Sequence, residues 1–400
     1  MGSAGPMGSA GPLDGLHVLE LANLYSGPLI GAMLGDLGAD VVKVEPPEGE
    51  PFRAIASRAP DDSPGVWTLV SRNKRMVAID DRQPDGVTLL GRLTARADVI
   101  VVNQPQSVLE RMDCTYGAIS ARNPRAIMVN VTGWGDGPYA GRGGNGTIAE
   151  AFGGLMSVLA PDDPTPSPAL LGDCLTALTG MVGVLAACYW RAVASGEGQY
   201  VEVPMFEAVM AAVAPQIVAF EPGAPPRTGD GLRRAFRTED GQRIVATAYT
   251  TAQIVRLLQA VGERTPGVPG VPGAEGETAD PPTDGATLTG LVDRWVGRHD
   301  LETVMAAFAE ARIPATPVND IAALLTDPHV VAREVVVDVE SPVHGSVRMP
   351  RPTPVLSRSP GKAPAFTEGR LGADSNEVCT DWLGMKEDEL ARLRDTKVLY

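Results

Sequence analysis

Residues 16–45 read LHVLELANLYSGPLIGAMLGDLGADVVKVE, and this stretch decides the fold. LHVLELA (16–22) alternates apolar and polar positions as a strand does. SGPLIGAMLGDLGA breaks that alternation at a Gly-Pro turn and continues as a helix. DVVKVE (40–45) returns to strand character, which completes a βαβ unit. The pattern repeats downstream: a strand at 75–80, a helix at 85–97, a strand at 98–103, a helical QSVLERM and a strand at 125–133. Strands alternating with helices predict an α/β domain with a largely parallel sheet. The strand ends at 23–28, 80–82, 103–107 and 132–138 should gather at one edge, where open α/β sheets bind ligands.

Farther along, LLGDCLTALTGMVGVLAACYW (170–190) holds one acid, Asp173, ahead of a long apolar run. Thr176, Thr179, Gly180 and Gly183 interrupt the run, which falls short of the roughly 20 apolar residues of a comfortable membrane span. It reads as a buried core helix over 174–194, and no membrane partner is expected. A short strand and a helix follow in GEGQYVEVPMFEAVMAAVAPQIVAF. Composition shifts at EPGAPPRTGDG (221–231), a domain junction. RRAFRTEDGQRIVATA reads as a hairpin, and TAQIVRLLQAVG as an amphipathic helix. Residues 265–286 are a Pro/Gly-rich insertion, with helices at 287–298 and 300–312 behind it. IPATPVND brings the chain back, a β segment follows, and KEDELARLRD is a C-terminal helix. The expected organisation is a flexible tail at 1–12, a large domain over 13–225, a smaller α+β domain over 226–315, and 316–400 completing the large domain.

The 400 residues are 44% hydrophobic and 21% charged, the balance of a folded globular chain. A net charge of −15 and 5% aromatics argue against nucleic acid as a partner. Four widely spaced cysteines, Cys114, Cys174, Cys188 and Cys379, form no CxxC pair, so no metal site is expected and reduced cytoplasmic thiols are.

GRGGNG (141–146) matches GxGxxG, but eight residues separate it from the preceding strand, so it reads as a glycine-rich surface loop and no nucleotide redox cofactor is expected. GxSxG, Walker and HExxH motifs are absent. Of the four histidines, His17, His299, His329 and His344, none lies between 18 and 298. That disfavours histidine-assisted hydrolysis and suits a carboxylate nucleophile. Arg72, Lys74, Arg75 and Arg82 cluster around the 75–80 strand, with Arg75 and Arg82 at its two ends. They are either a solvated face or a site for a polyanion. Asp173 is a favourable helix cap, and a helix N-terminus would also favour its ionised form as a nucleophile.

LDGLHVLELANLYSGPLIGAMLGDLGADVVKVEPP, RNKRMVAID, NPRAIMVNVTGWGDGPYAGR, SGEGQYVEVPMFEA and IPATPVNDIAALLTDPHVVAREVV together resemble the class III CoA-transferases, from about residue 13 to the end. The resemblance implies a Rossmann-like large domain built from both chain ends, a small domain, and an interlaced homodimer. It implies coenzyme A, as acyl-CoA, with a carboxylic acid as second substrate. Asp173 lies ten residues before Gly183, the family's spacing for its catalytic Asp, and so is implied as nucleophile. Tyr25 and Ser26 correspond to the loop beside the reacting carbonyl, and Arg82 and Arg111 to residues on the CoA phosphates. Asn103 corresponds to the Asn of a turn at the CoA, which here continues Gln104-Pro105-Gln106. The segment TGDG (228–231) is either a flap or a linker. The family's aromatic–acid pair reads Asn145-Gly146 here, which implies an altered pocket near Asp173. Two other readings stay open: a CoA-binding homologue or subunit of a heteromeric transferase, and a 2-methylacyl-CoA racemase, which the missing histidine disfavours.

Overall fold

The computed structural model describes residues 11–56, 66–223, 231–262, 285–341, 344–366 and 370–400. The first ten residues, most of the Pro/Gly-rich insertion and most of TGDG lie outside them. The chain forms two compact units: the described residues up to Val218 with Glu334–Tyr400, and Ala219–Arg333.

The first unit begins with β1 (His17–Glu20), α1 (Ser26–Asp36), β2 (Asp40–Glu45), α2 (Pro51–Ala56), α3 (Val66–Ser71) and β3 (Lys74–Ala78). Next are α4 (Pro84–Arg96), β4 (Val99–Val102), α5 (Gln106–Arg111), α6 (Tyr116–Arg122) and β5 (Ile127–Thr132). α7 (Gly146–Phe152), α8 (Leu155–Leu159), α9 (Leu171–Trp190), β6 (Tyr200–Pro204), α10 (Met205–Ala212) and α11 (Ala214–Val218) follow. The six strands pair in parallel in the order β3-β2-β1-β4-β5-β6. The order reverses between β1 and β4, which opens a crevice at their carboxyl ends.

Strand alternation divides the core between two faces. Leu19, Val42, Val77 and Ile100 belong to one cluster, and Val18, Val41, Val99 and Val129 to the other. Glu20, Lys43 and Glu45 share the parity of Val18 and Val41, yet all three are fully buried.

The second unit pairs β7 (Leu232–Arg237) with β8 (Arg243–Ala248) and packs them with α12 (Thr251–Ala260), α13 (Gly285–Val296) and α14 (Leu301–Glu310). β9 (Ala315–Pro317) adds a third antiparallel strand beside β8, so IPATPV completes this small sheet. The return to the first unit therefore comes after residue 333, past α15 (Ile321–Thr326) and α16 (Pro328–Ala332), and not at 316.

Back in the first unit, β10 (Val336–Ser341) and β11 (Gly345–Pro350) form a hairpin, and α17 (Ser375–Leu383) and α18 (Glu387–Asp395) follow. Tyr400 N–H donates to Ala78 O at 3.0 Å and Asp80 N–H to Val398 O at 2.9 Å. The C-terminus thus runs along the otherwise open edge of β3.

α9 departs from the expected buried helix. Thr176, Ala177, Gly180, Val184 and Ala187 are buried, and a Cβ at Gly183 would stand 2.6 Å from Val201 Cγ1. Small residues on that face let α9 lie close against the sheet. The opposite face exposes Leu178 (55%), Val182 (67%), Leu185 and Tyr189 (69%). Residues 171–195 are also the one described stretch long and apolar enough to cross a membrane, by length and composition alone.

Candidate active site

The ends of β1, β4 and β5 and the start of α9 enclose a cavity of about 590 Å³. Asn23–Ser26, Asn103–Gln106, Asn130–Asp136, Gly141–Asn145 and Asp173 line it. Three of the four predicted strand ends therefore meet there. The fourth, 80–82, follows the edge strand β3 and does not line it.

Asp173 is the third residue of α9. Ser26 Oγ donates to its Oδ1 at 2.5 Å. Its other oxygen faces Gly146, where a Cβ would lie only 1.9 Å from Oδ2. The missing side chain at 146 is thus a condition of this carboxylate's position. Burial raises the Asp173 carboxyl above the usual Asp range. The Ser26 hydrogen bond partly offsets the rise, and the Glu150 charge adds to it.

The cap reading of Asp173 does not hold. The capping position is Leu170, in the left-handed region at φ 50° with no side-chain bond. One free donor of the first turn, Gly172 N–H, goes instead to Glu150, which is 2% exposed and also takes Ser167 N–H from the loop ahead of the helix. Its Oε1 accepts from Gly172 N at 2.9 Å and its Oε2 from Ser167 N at 2.8 Å.

Tyr25 is buried at the start of α1 and packs edge-on against Phe52. Burial, with Cys174 beside it, pushes its phenol up to about 12, so it keeps its proton at neutral pH. The turn from Ala22 to Pro28 is held from behind by buried charges. Lys43 Nζ donates to Ala22 O at 2.9 Å, Glu50 Oε2 accepts from Leu24 N at 2.8 Å, and Lys74 Nζ donates to Pro28 O at 2.7 Å. Lys43 pairs with Glu20 (3.0 Å) and Glu50 (2.8 Å), Lys74 with Glu20 (2.6 Å), and Arg53 with Glu45 (2.6 Å). Glu20, Glu45 and Glu50 balance Lys43, Lys74 and Arg53 in formal charge. Burial opposes both ammonium groups. At Lys43 the neighbouring Glu20 and Glu50 outweigh it, whereas Lys74 is pushed down to about 8. Buried ion pairs add little net stability, but removing one partner is costly because it strands the other. The sequence reading missed this network. Its signal was charge at strand positions with the parity of Val18 and Val41.

Asn103 and Gln104 join two strand ends. Asn103 Oδ1 accepts from Asn23 N at 2.9 Å, its Nδ2 donates to Asn23 O at 2.8 Å, and Gln104 Nε2 donates to Leu21 O at 3.2 Å. Arg82 and Arg111 meet over the turn after β3, on Asp80 at 2.6 Å and Asp81 at 3.1 Å respectively. Both are largely exposed. Arg75 sits toward the amino end of β3, bound to Asp40 (2.5 Å), Asp381 (2.9 Å) and Glu377 (3.4 Å). The structure does not bring Arg75 to the cavity. Its acidic neighbours oppose a second anion, and burial of its guanidinium is offset by Asp40 and Asp381, which raise its pKa further. Among the described residues, no cluster of three His, Cys, Asp or Glu side chains suited to a metal occurs. The four cysteines are free thiols.

The profile described as CoA-transferase family III matches residues 13–375. Succinyl-CoA--D-citramalate CoA-transferase of Chloroflexus aurantiacus is 33% identical over 399 residues, covering 97% of this chain and 98% of that protein. The succinyl-CoA--L-malate CoA-transferase alpha subunit of Chloroflexus aurantiacus is 32% identical over 411 residues, covering 97% and 92%. Among solved structures, a CAIB/BAIF family protein from Brucella suis aligns with a TM-score of 0.75 at 26% identity, covering 94% of this chain and 100% of that one. The chain belongs to CoA-transferase family III and is an enzyme that transfers CoA between an acyl-CoA and a carboxylate.

Proposed function

We propose that Asp173 is the nucleophile of this transfer. The observation that carries the reading is its placement: a half-buried carboxylate lining the cavity, one oxygen held by Ser26 and the other unobstructed beside Gly146. Asp173 attacks the thioester carbonyl, the C–S bond breaks, and CoA leaves as thiolate from a mixed anhydride. The thiolate then attacks the aspartyl carbonyl. The donor carboxylate departs, and an aspartyl-CoA thioester remains. The acceptor carboxylate displaces CoA to form a second anhydride. Attack of the thiolate on the acceptor's acyl carbon restores Asp173 and releases the new acyl-CoA. One thioester replaces another of similar energy, so the cycle calls for no redox or metal chemistry; it needs the thiolate held close and water kept out.

Tyr25 borders the reacting acyl group, and Asn103 and Gln104 shape the wall along which the CoA lies. Arg82 and Arg111 are exposed at the carboxyl edge, where they can exchange Asp80 and Asp81 for phosphate. Arg75 braces the sheet. Small dicarboxylates are the proposed substrates, because the citramalate and malate transferases named above act on such acids. We assign the exposed apolar stripe of α9, at spacings of four, three and four residues (178, 182, 185, 189), to a second copy in an interlaced homodimer working in the cytoplasm. A heteromeric assembly is the second reading, supported by the likeness to an alpha subunit.

Incubation with succinyl-CoA followed by hydroxylamine or borohydride, read by peptide mass spectrometry, tests the nucleophile. The expected result is a modification on Asp173, absent from D173N, whose turnover should fall on the order of a thousandfold. A D173N variant with near-parental turnover would overturn the reading.

A further inference from the structure

Glu150 is a fully buried acid one helix away from the nucleophile. α7 is already capped by its own Asn145, whose Oδ1 accepts from Ile148 N at 3.0 Å, so Glu150 is not needed there. It reaches across to the start of α9 and takes the N–H of Gly172 on one oxygen and, on the other, that of Ser167 in the segment leading into the helix. The two helices touch so closely that a Cβ on Gly172 would stand 2.3 Å from Gly146 O and 3.1 Å from Glu150 Cγ. A carboxylate accepts on both oxygens, whereas a carboxamide offers one acceptor and would aim its NH₂ at the other donor.

We propose that Glu150 is a positioning residue for the transfer: it caps α9 in place of Asp173 and leaves the Asp173 carboxylate free for attack. In an ordinary helix start, an acid at the third position folds back to the capping backbone N–H. Here that task is met from α7, and Asp173 turns to Ser26 instead. The arrangement also sets a second negative charge behind the nucleophile. Other groups around Asp173 are Ser26 and Tyr25 from the α1 end and Cys174 on α9; none of these carries positive charge. The inference rests on the reading of Asp173 as nucleophile.

The test is the pH profile of kcat/KM in E150Q and E150D, with succinyl-CoA as donor and a small dicarboxylate as acceptor. Loss of the Glu150 charge makes Asp173 easier to ionise. The acid limb in E150Q should therefore move down by about half a pH unit or more, because activity follows ionised Asp173. kcat should fall about tenfold, with KM for acyl-CoA within about twofold. E150D, which keeps the charge, should return the limb to the parental position. An acid limb unmoved in folded E150Q overturns the inference, whatever happens to kcat. If E150Q does not fold, E150D decides: its shorter side chain should lower kcat severalfold at a nearly unchanged Tm, and a parental kcat overturns the inference. Adduct formation on Asp173 in the unaltered protein separates failure of this inference from failure of the nucleophile reading.

Discussion

The two walls of the cavity are built differently. One is the turn between β1 and α1, residues 22–28. Three of its backbone groups are gripped by Lys43, Glu50 and Lys74, all at most 2% exposed. The other is the glycine loop 141–145, exposed throughout. Trp134 Nε1 donates to Gly143 O at 3.2 Å, Arg142 N–H to Tyr139 O at 3.0 Å, Asn145 caps α7, and Gly133 and Gly144 cross closely; among the described residues no buried charge holds the loop. The first wall presents Ser26 to the Asp173 carboxylate, and buried charges fix its backbone. The second borders the space left for substrate and is held by contacts that yield at small cost. The contrast separates the part of the site that fixes chemistry from the part that can follow a ligand.

Glu50→Ala should break the contrast most severely. It leaves Leu24 N–H without its acceptor and takes from the buried Lys43 ammonium one of its two carboxylates, so a loss of about 3–5 kcal/mol is expected by chemical denaturation. Turnover should collapse with it. Ala at Gly144 attacks the other wall at its crossing, where a Cβ would lie 2.8 Å from Gly133 Cα. A cost of about 1–3 kcal/mol is expected, measured as a lower Tm. Ser26→Ala should leave stability nearly intact. It removes the hydrogen bond that helps keep Asp173 ionised, so the acid limb of kcat/KM should shift upward and kcat/KM fall roughly tenfold. A downward shift would mean that Ser26 does not act on Asp173 as its geometry indicates. Ala at Gly143, three residues from Gly146, has open space around it. Its Tm change should correspond to no more than about 0.5 kcal/mol. A large change there would show that the loop is braced after all.

The βαβ alternation in 16–45 was legible because strand and helix periods differ and Gly27-Pro28 marks the change. DVVKVE became β2 at the expected residues. The resemblance pointed to Asp173 and the turn at 25–26, and the structure brings these together. The sequence placed Arg75 and Arg82 at the two ends of one strand; only the fold shows that Arg75 is taken up by Asp40, Asp381 and Glu377. Glu150 was hidden because an isolated acid in TIAEAF reads as a solvated helix position. Its two donors come from residues 17 and 22 positions away. α9 was misjudged for a similar reason. Its apolar residues surround the helix, and periodicity alone does not say which side meets the sheet. β9 was read as a connection because three residues carry too little pattern to register as a strand.

Gly146 also limits how this pocket can diversify. Every replacement of that glycine introduces a Cβ 1.9 Å from Asp173 Oδ2 as it now stands. A change of acyl preference therefore cannot pass through residue 146 by one substitution without first moving Asp173. Variation compatible with turnover is channelled to Tyr25 and the 141–144 loop, so a library meant to retarget the enzyme gains more from those positions than from the one beside Asp173.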